Sequence, residues 1–280
     1  MIDHSCSCED NPLIPKICVV SDVIEETPDT KTFRIQTVDG KKPFLPKPGQ
    51  LAMISIFGVG EAMFSITAQG EDYIDSAIKK VGVLTEALHS ISPGQKIGVR
   101  GPYGNGFPIE GLEGFDLLFV GGGIGLAPLR SLIRHSLENR KNYGHIDILY
   151  GARSPEDLVF KDDLFENWTK QPDTIVHVTV DKADAVWDGN VGFVPAYLEE
   201  LAFQPRNRKV IVCGPPIMIK YCSESLVRMG FDKKDVITTL EMRMKCGIGK
   251  CGRCNIGSKY ICLDGPVFTL SELDDLPDEK

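Results

Sequence analysis

The chain has 280 residues, 42% hydrophobic and 25% charged, enough apolar material for real cores; disordered, collagen-like and coiled-coil classes are excluded. Its 31 basic and 39 acidic residues give a formal net charge of −8, which argues against a nucleic-acid groove or an anionic membrane surface as partner. Met1–Lys16 lacks the basic and apolar regions of a secretory signal, and the most apolar stretch, Leu117–Leu129, is short and broken by glycines; a cytoplasmic chain without membrane insertion is expected.

A tail over 1–15 precedes a strand-rich region. Lys16–Glu25, Thr32–Val38, Leu51–Phe57, Met63–Ala68, Tyr73–Val81 and Lys96–Val99 are short runs of β-branched and aromatic residues. Turn clusters such as Pro46–Gly49 separate them, and Leu84–Ile91 is helix-like. This pattern predicts a small antiparallel barrel over 16–108, with Gly104–Gly114 as a linker. The rhythm then changes. Apolar runs at Leu117–Val120, Ile146–Tyr150, Ile175–Val180 and Val210–Cys213, each trailed by a helical pattern, predict a doubly wound parallel sheet over 112–238. A Gly/Cys-rich segment fills 239–280, and its acidic end, Ser271–Lys280, is expected to be mobile at its tip.

Four of the nine cysteines crowd into Cys246-x4-Cys251-x2-Cys254-x7-Cys262, the opening spacing of a plant-type [2Fe–2S] site. Four thiolates must converge on two irons, and Gly247, Gly249, Gly252 and Gly257 allow the backbone to wrap closely. The competing reading is a zinc knuckle, which usually pairs two C-x2-C hooks where this segment has one. Cys6, Cys8 and Cys18 either help ligate another cluster or are plain thiols. The run Gly121–Gly122–Gly123–Ile124–Gly125–Leu126–Ala127–Pro128 follows a buried strand and opens a helix, as a pyrophosphate-binding turn does, although such turns also serve tight packing. Cys213–Gly214–Pro215–Pro216–Ile217–Met218 closes the last parallel strand. The five histidines are dispersed and form no catalytic constellation.

Barrel, glycine turn, Cys-Gly-Pro-Pro-x-Met and cysteine cluster together resemble the ferredoxin–NADP reductase superfamily over residues 16–275. Within it, Glu241–Gly252 and Cys262–Phe268 resemble the branch of hydrogenase and sulfhydrogenase gamma subunits and dihydroorotate dehydrogenase electron-transfer subunits, with the wording favouring the hydrogenase type. The resemblance implies FAD on the barrel, NAD(P)H on the sheet domain, a [2Fe–2S] cluster on Cys246, Cys251, Cys254 and Cys262, and larger redox-enzyme subunits as partners. Phe64 would lie by the isoalloxazine and Ser65 near its N5, while Ala62 replaces the family's arginine. Ile78, Lys79, Gly82, Leu84 and Thr85 would serve the flavin, with Lys79 or Lys80 able to supply the missing charge. Gly122, Gly123, Ile124, Gly125, Leu126, Ala127 and Pro128 would cradle the dinucleotide, with Cys213, Gly214 and Pro215 near the nicotinamide; Ser65 and Cys213 are the implied catalytic residues. Asp181 would accept from a ribose 2′-OH and repel a 2′-phosphate, favouring NADH, although Lys182 and Arg153 stand nearby. The implied function is an NAD(P)H-dependent, diaphorase-type electron-transfer subunit serving a hydrogenase, sulfur-reductase or heterodisulfide-reductase type of complex. The alternatives are the dihydroorotate dehydrogenase subunit, a self-contained reductase for a monooxygenase and, from another class, a zinc-stapled binding module.

Overall fold

The computed structural model describes residues 11–277; Cys6, Cys8 and the tip of the acidic tail fall outside them. The first half is a seven-stranded antiparallel sheet in the order β4-β3-β7-β1-β2-β6-β5. Its strands are β1 (Lys16–Thr27), β2 (Thr30–Thr37), β3 (Leu51–Ile56), β4 (Gly60–Ser65), β5 (Ala68–Gln69), β6 (Ile74–Lys79) and β7 (Lys96–Tyr103), with helix α1 (Val83–His89) before β7. Val20, Phe33, Ile35, Ile54, Ile74 and Val99 fill its interior, the inward halves of alternating strands. The single run Met63–Ala68 is split, because Ile66 and Thr67 turn the chain between β4 and β5.

The second half is a sheet in the order β11-β10-β9-β8-β12-β13-β16. Its chain order is β8 (Asp116–Gly122), α2 (Leu126–Glu138), β9 (Ile146–Ala152), β10 (Thr174–Val180), β11 (Asn190–Val191), α3 (Val194–Leu201), β12 (Arg208–Cys213), α4 (Pro216–Arg228) and β13 (Val236–Thr239). Strands β8 to β13 are parallel, and Leu117, Phe119, Ile148, Val210 and Val212 are fully buried, as a sheet covered on both faces requires. The helical pattern expected after β9 shrinks to one π-helical turn at Asp163–Asn167. No helix among the described residues is long and apolar enough to cross a membrane.

One joint departs from the sequence reading. The stretch after β7 is no slack linker: Phe107 is buried, and Asn105 Nδ2 donates to the carbonyls of Asp264 and Val267 at 3.0 and 2.8 Å while its Oδ1 accepts from Val267 N–H at 3.2 Å. The cysteine segment carries β14 (Asn255–Ile256), β15 (Lys259–Tyr260), α5 (Ile261–Asp264), β16 (Val267–Thr269) and α6 (Leu270–Leu273). Its β16 adds antiparallel to β13, pairing Thr239 with Val267 and Ile237 with Thr269.

Near the starts of the parallel strands, Asp147 is almost fully buried; it accepts from Arg208 Nη1 at 3.1 Å and lies 3.1 Å from His177 Nε2. Removing one partner of a buried pair strands the other charge. Asp147→Ala should therefore cost about 3–5 kcal/mol, read as a lower midpoint in chemical or thermal unfolding. An unchanged midpoint would show that the cluster contributes nothing.

Candidate functional site

The four clustered cysteines are held at graded depth: Cys254 and Cys262 are buried, Cys246 is half-buried and Cys251 is exposed. Their thiols meet in two pairs, Cys246 with Cys251 and Cys254 with Cys262. Backbone N–H groups of Ile248 and Cys251 donate to Cys246 Sγ at 3.5 and 3.4 Å, and Gly249 N–H donates to Cys262 Sγ at 3.2 Å. Burial opposes ionisation of Cys246, but those donors outweigh it and lower the thiol to about 7; burial dominates at Cys262 and raises it to about 11. Two sulfur pairs facing inward N–H donors fit a two-iron centre with two thiolates on each iron.

The loop is fastened to the barrel by β7. Arg100, with only 5% of its side chain exposed, pairs with Glu61 of β4 at 2.8 Å and donates to the Cys246 carbonyl at 3.2 Å and to Tyr103 Oη at 3.4 Å. Tyr103 in turn donates to the Pro12 carbonyl at 2.9 Å, and Gly247 lies flat against its ring. At Gly247, with φ +78°, an added Cβ would stand 2.8 Å from that ring, so only glycine suits both the backbone and the contact. Alternation along β4 sends Met63 into one apolar cluster with Met53, Tyr103, Cys254 and Cys262, while Phe64 packs on the barrel interior. The strand assigned to the flavin and two of the four clustered cysteines thus share a core.

Around that strand, Phe64 and Ser65 are half-buried. Gly82 is exposed at the start of α1 and an added Cβ there would meet nothing within 4 Å. The Thr85 hydroxyl is committed to its own turn: it accepts from Val81 and Gly82 N–H at 2.8 and 2.9 Å and donates to the Gly82 carbonyl. Lys79 pairs with Asp29 at 2.9 Å, whereas Lys80 is exposed without an ion pair among the described residues. An exposed glycine turn and a part-exposed aromatic strand fit a flavin, with Lys80 the cation left for its phosphates.

A cleft of about 830 Å³ runs from Lys79 past the glycine loop to the ends of β9, β10 and β12. Gly122 to Gly125 form its floor, and α2 begins with no side-chain cap and no acid in its first turn, leaving its N–H groups toward an anion. At Gly125 an added Cβ would stand 2.5 Å from the Cys213 carbonyl, so the two loops touch backbone to backbone. Cys213 is fully buried, burial pushes its thiol up to about 12, and Thr239 Oγ1 donates to its sulfur at 3.4 Å; it is a neutral packing group. Asp181 lies at the far rim, where burial raises its carboxyl above the ordinary range against the opposing charge of Arg153. Arg153 is itself held by Asp157 at 2.6 Å, with Asp29 at 3.9 Å.

The structure therefore brings Gly122–Gly125, Gly214, Pro215, Asp181 and Lys79 to one cleft, and the four cysteines to one loop. Ile78 and Leu126 are buried in cores, Ala127 with them, and Leu84 packs on the barrel interior. Cys18 lies in the barrel core, its thiol pushed up to about 12 by burial, which removes it as a ligand candidate. Arg100, Glu61, Tyr103 and Asn105 escaped the sequence reading; the one available signal was the glycine-dense run Arg100–Gly106, unusual at a strand end.

Comparison with known proteins finds two matching family models. Residues 119–224 match the oxidoreductase NAD-binding domain, and 241–274 match the iron–sulfur cluster binding domain of dihydroorotate dehydrogenase B. Sulfhydrogenase 1 subunit gamma of Pyrococcus furiosus is 38% identical over 262 residues, covering 91% of this chain and 89% of that protein. A probable dihydroorotate dehydrogenase B (NAD(+)) electron transfer subunit of Methanocaldococcus jannaschii is 35% identical over 257 residues, covering 91% and 89%. The solved NADH-dependent reduced ferredoxin-NADP oxidoreductase superposes with a TM-score of 0.76 at 24% identity, covering 92% of this chain and 89% of that one, a likeness of fold. With relatives this similar over nearly its whole length, the chain belongs to the ferredoxin–NADP reductase-like family of sulfhydrogenase gamma subunits and dihydroorotate dehydrogenase B electron-transfer subunits.

Proposed function

We propose that this oxidoreductase is the NAD(P)H-dependent, diaphorase-type electron-transfer subunit of a larger redox complex, working with FAD, a [2Fe–2S] cluster and preferentially NADH. The observation that carries the reading is the shared core in which Met63 of the flavin strand touches the environment of Cys254 and Cys262. When bound, the flavin supplies the conversion between paired and single electrons, and the cluster the single-electron step.

The chain's own residues do the rest. Gly122–Gly125 and the start of α2 bind the dinucleotide's pyrophosphate, and Gly214–Pro215 close over its reactive end. Phe64 and Ser65 would hold the flavin against the barrel, and Cys213 stays protonated and shapes the floor. No general base is required, because positioning and water exclusion suffice. The zinc-stapled module is disfavoured by the match of residues 241–274 to an iron–sulfur cluster binding domain. Among partner complexes the reading favours the hydrogenase, sulfur-reductase or heterodisulfide-reductase type, with 38% identity to the sulfhydrogenase subunit in support.

Anaerobic preparations should carry flavin and about two irons per chain and be bleached by NADH. Cys254→Ser and Cys262→Ser should lose iron while keeping flavin; a colourless protein would overturn the assignment. Asp181→Ser should raise the NADPH/NADH ratio of kcat/KM by about tenfold, or ~1.4 kcal/mol. No change in that ratio removes Asp181 from the specificity site. Arg100 places a positive charge beside a cluster ligand, so Arg100→Gln should lower the cluster's midpoint potential by tens of millivolts, where about 59 mV is tenfold for one electron. Glu61→Gln should raise it. Shifts of the same sign in an EPR-monitored titration would mean that Arg100 only stiffens the loop.

A further inference from the structure

The cations on the walls of the dinucleotide cleft are Lys79, Arg153 and Arg228, and each is already matched. Lys79 pairs with Asp29 at 2.9 Å, Arg153 with Asp157 at 2.6 Å, and Arg228 with Glu199. Asp181 faces the charge of Arg153 across the rim. One carboxylate on these walls is left over. Glu241 is exposed, and among the described residues it forms no ion pair and its side chain no hydrogen bond.

Its place is set by the strand before it. Thr239 ends β13 with its hydroxyl donating to Cys213 Sγ at 3.4 Å, and Leu240 N–H prolongs the pairing by donating to the Pro266 carbonyl at 2.9 Å. Side chains two apart on extended backbone share a face. Leu240 and Met242 accordingly enter the core that holds Met63, Cys254 and Cys262. Glu241 takes the other side with Thr239, and meets the cleft beside Gly122, Gly214 and Pro215. Its field reaches the floor there: burial first, and the charge of Glu241 with it, opposes ionisation of Cys213.

We propose that Glu241 selects the charge state of the nicotinamide, holding the oxidised, cationic ring more tightly than the reduced, neutral one. The proposal rests on the reading that puts the nicotinamide at Gly214–Pro215, and adds a contact and a preference to it. When NADH is oxidised its C4–H bond breaks, and the hydrogen moves with both bonding electrons to the flavin, where an N5–H bond forms. The nicotinamide left behind carries one positive charge. A carboxylate at the ring attracts that charge and does little for the neutral form. Because the charge grows as the hydride departs, the same attraction favours the transition state over bound NADH. An acid without an ion-pair partner suits this role, since a neighbouring cation would cancel its field before the ring became charged.

Equilibrium binding tests this without turnover. Flavin- and iron-loaded protein is titrated by calorimetry with NAD+, with 1,4,5,6-tetrahydro-NAD, whose neutral ring gives no hydride, and with ADP-ribose, which lacks the ring. The unaltered protein should bind NAD+ more tightly than the tetrahydro compound, a comparison that depends on no variant folding. Glu241→Gln should weaken NAD+ by about tenfold and leave the other two ligands within about twofold. Glu241→Asp keeps the charge and should fall between the two proteins. Unchanged ADP-ribose affinity verifies that the variant's cleft is intact. Equal weakening of NAD+ and the tetrahydro compound would mean a contact blind to charge, and overturns the proposal. So does an unaltered protein that prefers the neutral ring, or a Glu241→Gln protein that binds all three ligands as before; either result leaves the electron-transfer reading standing. An unaltered protein that binds none of the three overturns the dinucleotide reading itself.

Discussion

Arg100 carries its charge to a place where a twentieth of its side chain meets water, a position that is costly unless every donor finds an acceptor. Glu61 neutralises it from β4, and the Cys246 carbonyl and Tyr103 hydroxyl take further N–H groups. Those partners belong to two barrel strands and the cysteine loop. The geometry of the electron route thus depends on a single guanidinium that cannot move without stranding a charge. Its planar fork is suited to three acceptors in different directions, which a lysine's point charge would not reproduce.

The dinucleotide half relies on backbone instead. Where the loops after β8 and β12 meet, the contact is between Gly125 and the Cys213 carbonyl, with no side chain between. Helix α2 opens with no side-chain cap and no acid in its first turn, so an anion in the floor of the cleft would meet backbone N–H groups and need no lysine or arginine. At its far rim, Arg153 is flanked by Asp157 and Asp29, with Asp181 across from it. The two halves therefore solve binding differently, with fixed charge at the metal and fixed dipoles at the nucleotide.

The sequence was legible where chemistry is written as spacing or period. The cysteine run, the glycine turn and the apolar strands fall where expected, because thiolate coordination and buried parallel strands constrain neighbours along the chain. It was silent where partners are distant in sequence. Arg100 and Cys246, or Asn105 and Val267, are joined only by folding, so nothing local marks them. The short strand β16 carries too few residues for a period, and the linker reading of Gly104–Gly114 followed composition, which cannot show that Asn105 imitates a strand edge. Nor could the sequence show that the Thr85 hydroxyl is engaged by its own turn.

Strand β16 returns beside β13, and Leu240 N–H continues the ladder by donating to the Pro266 carbonyl at 2.9 Å. Residues 240–266 are thus the tip of an oversized hairpin whose stem belongs to the nucleotide sheet. A tip pinned at both ends has already lost most of its closure entropy. Stripping out the inorganic centre would loosen the tip while the stem stays zipped, so insertion of fresh iron and sulfide becomes a local repair on a finished scaffold.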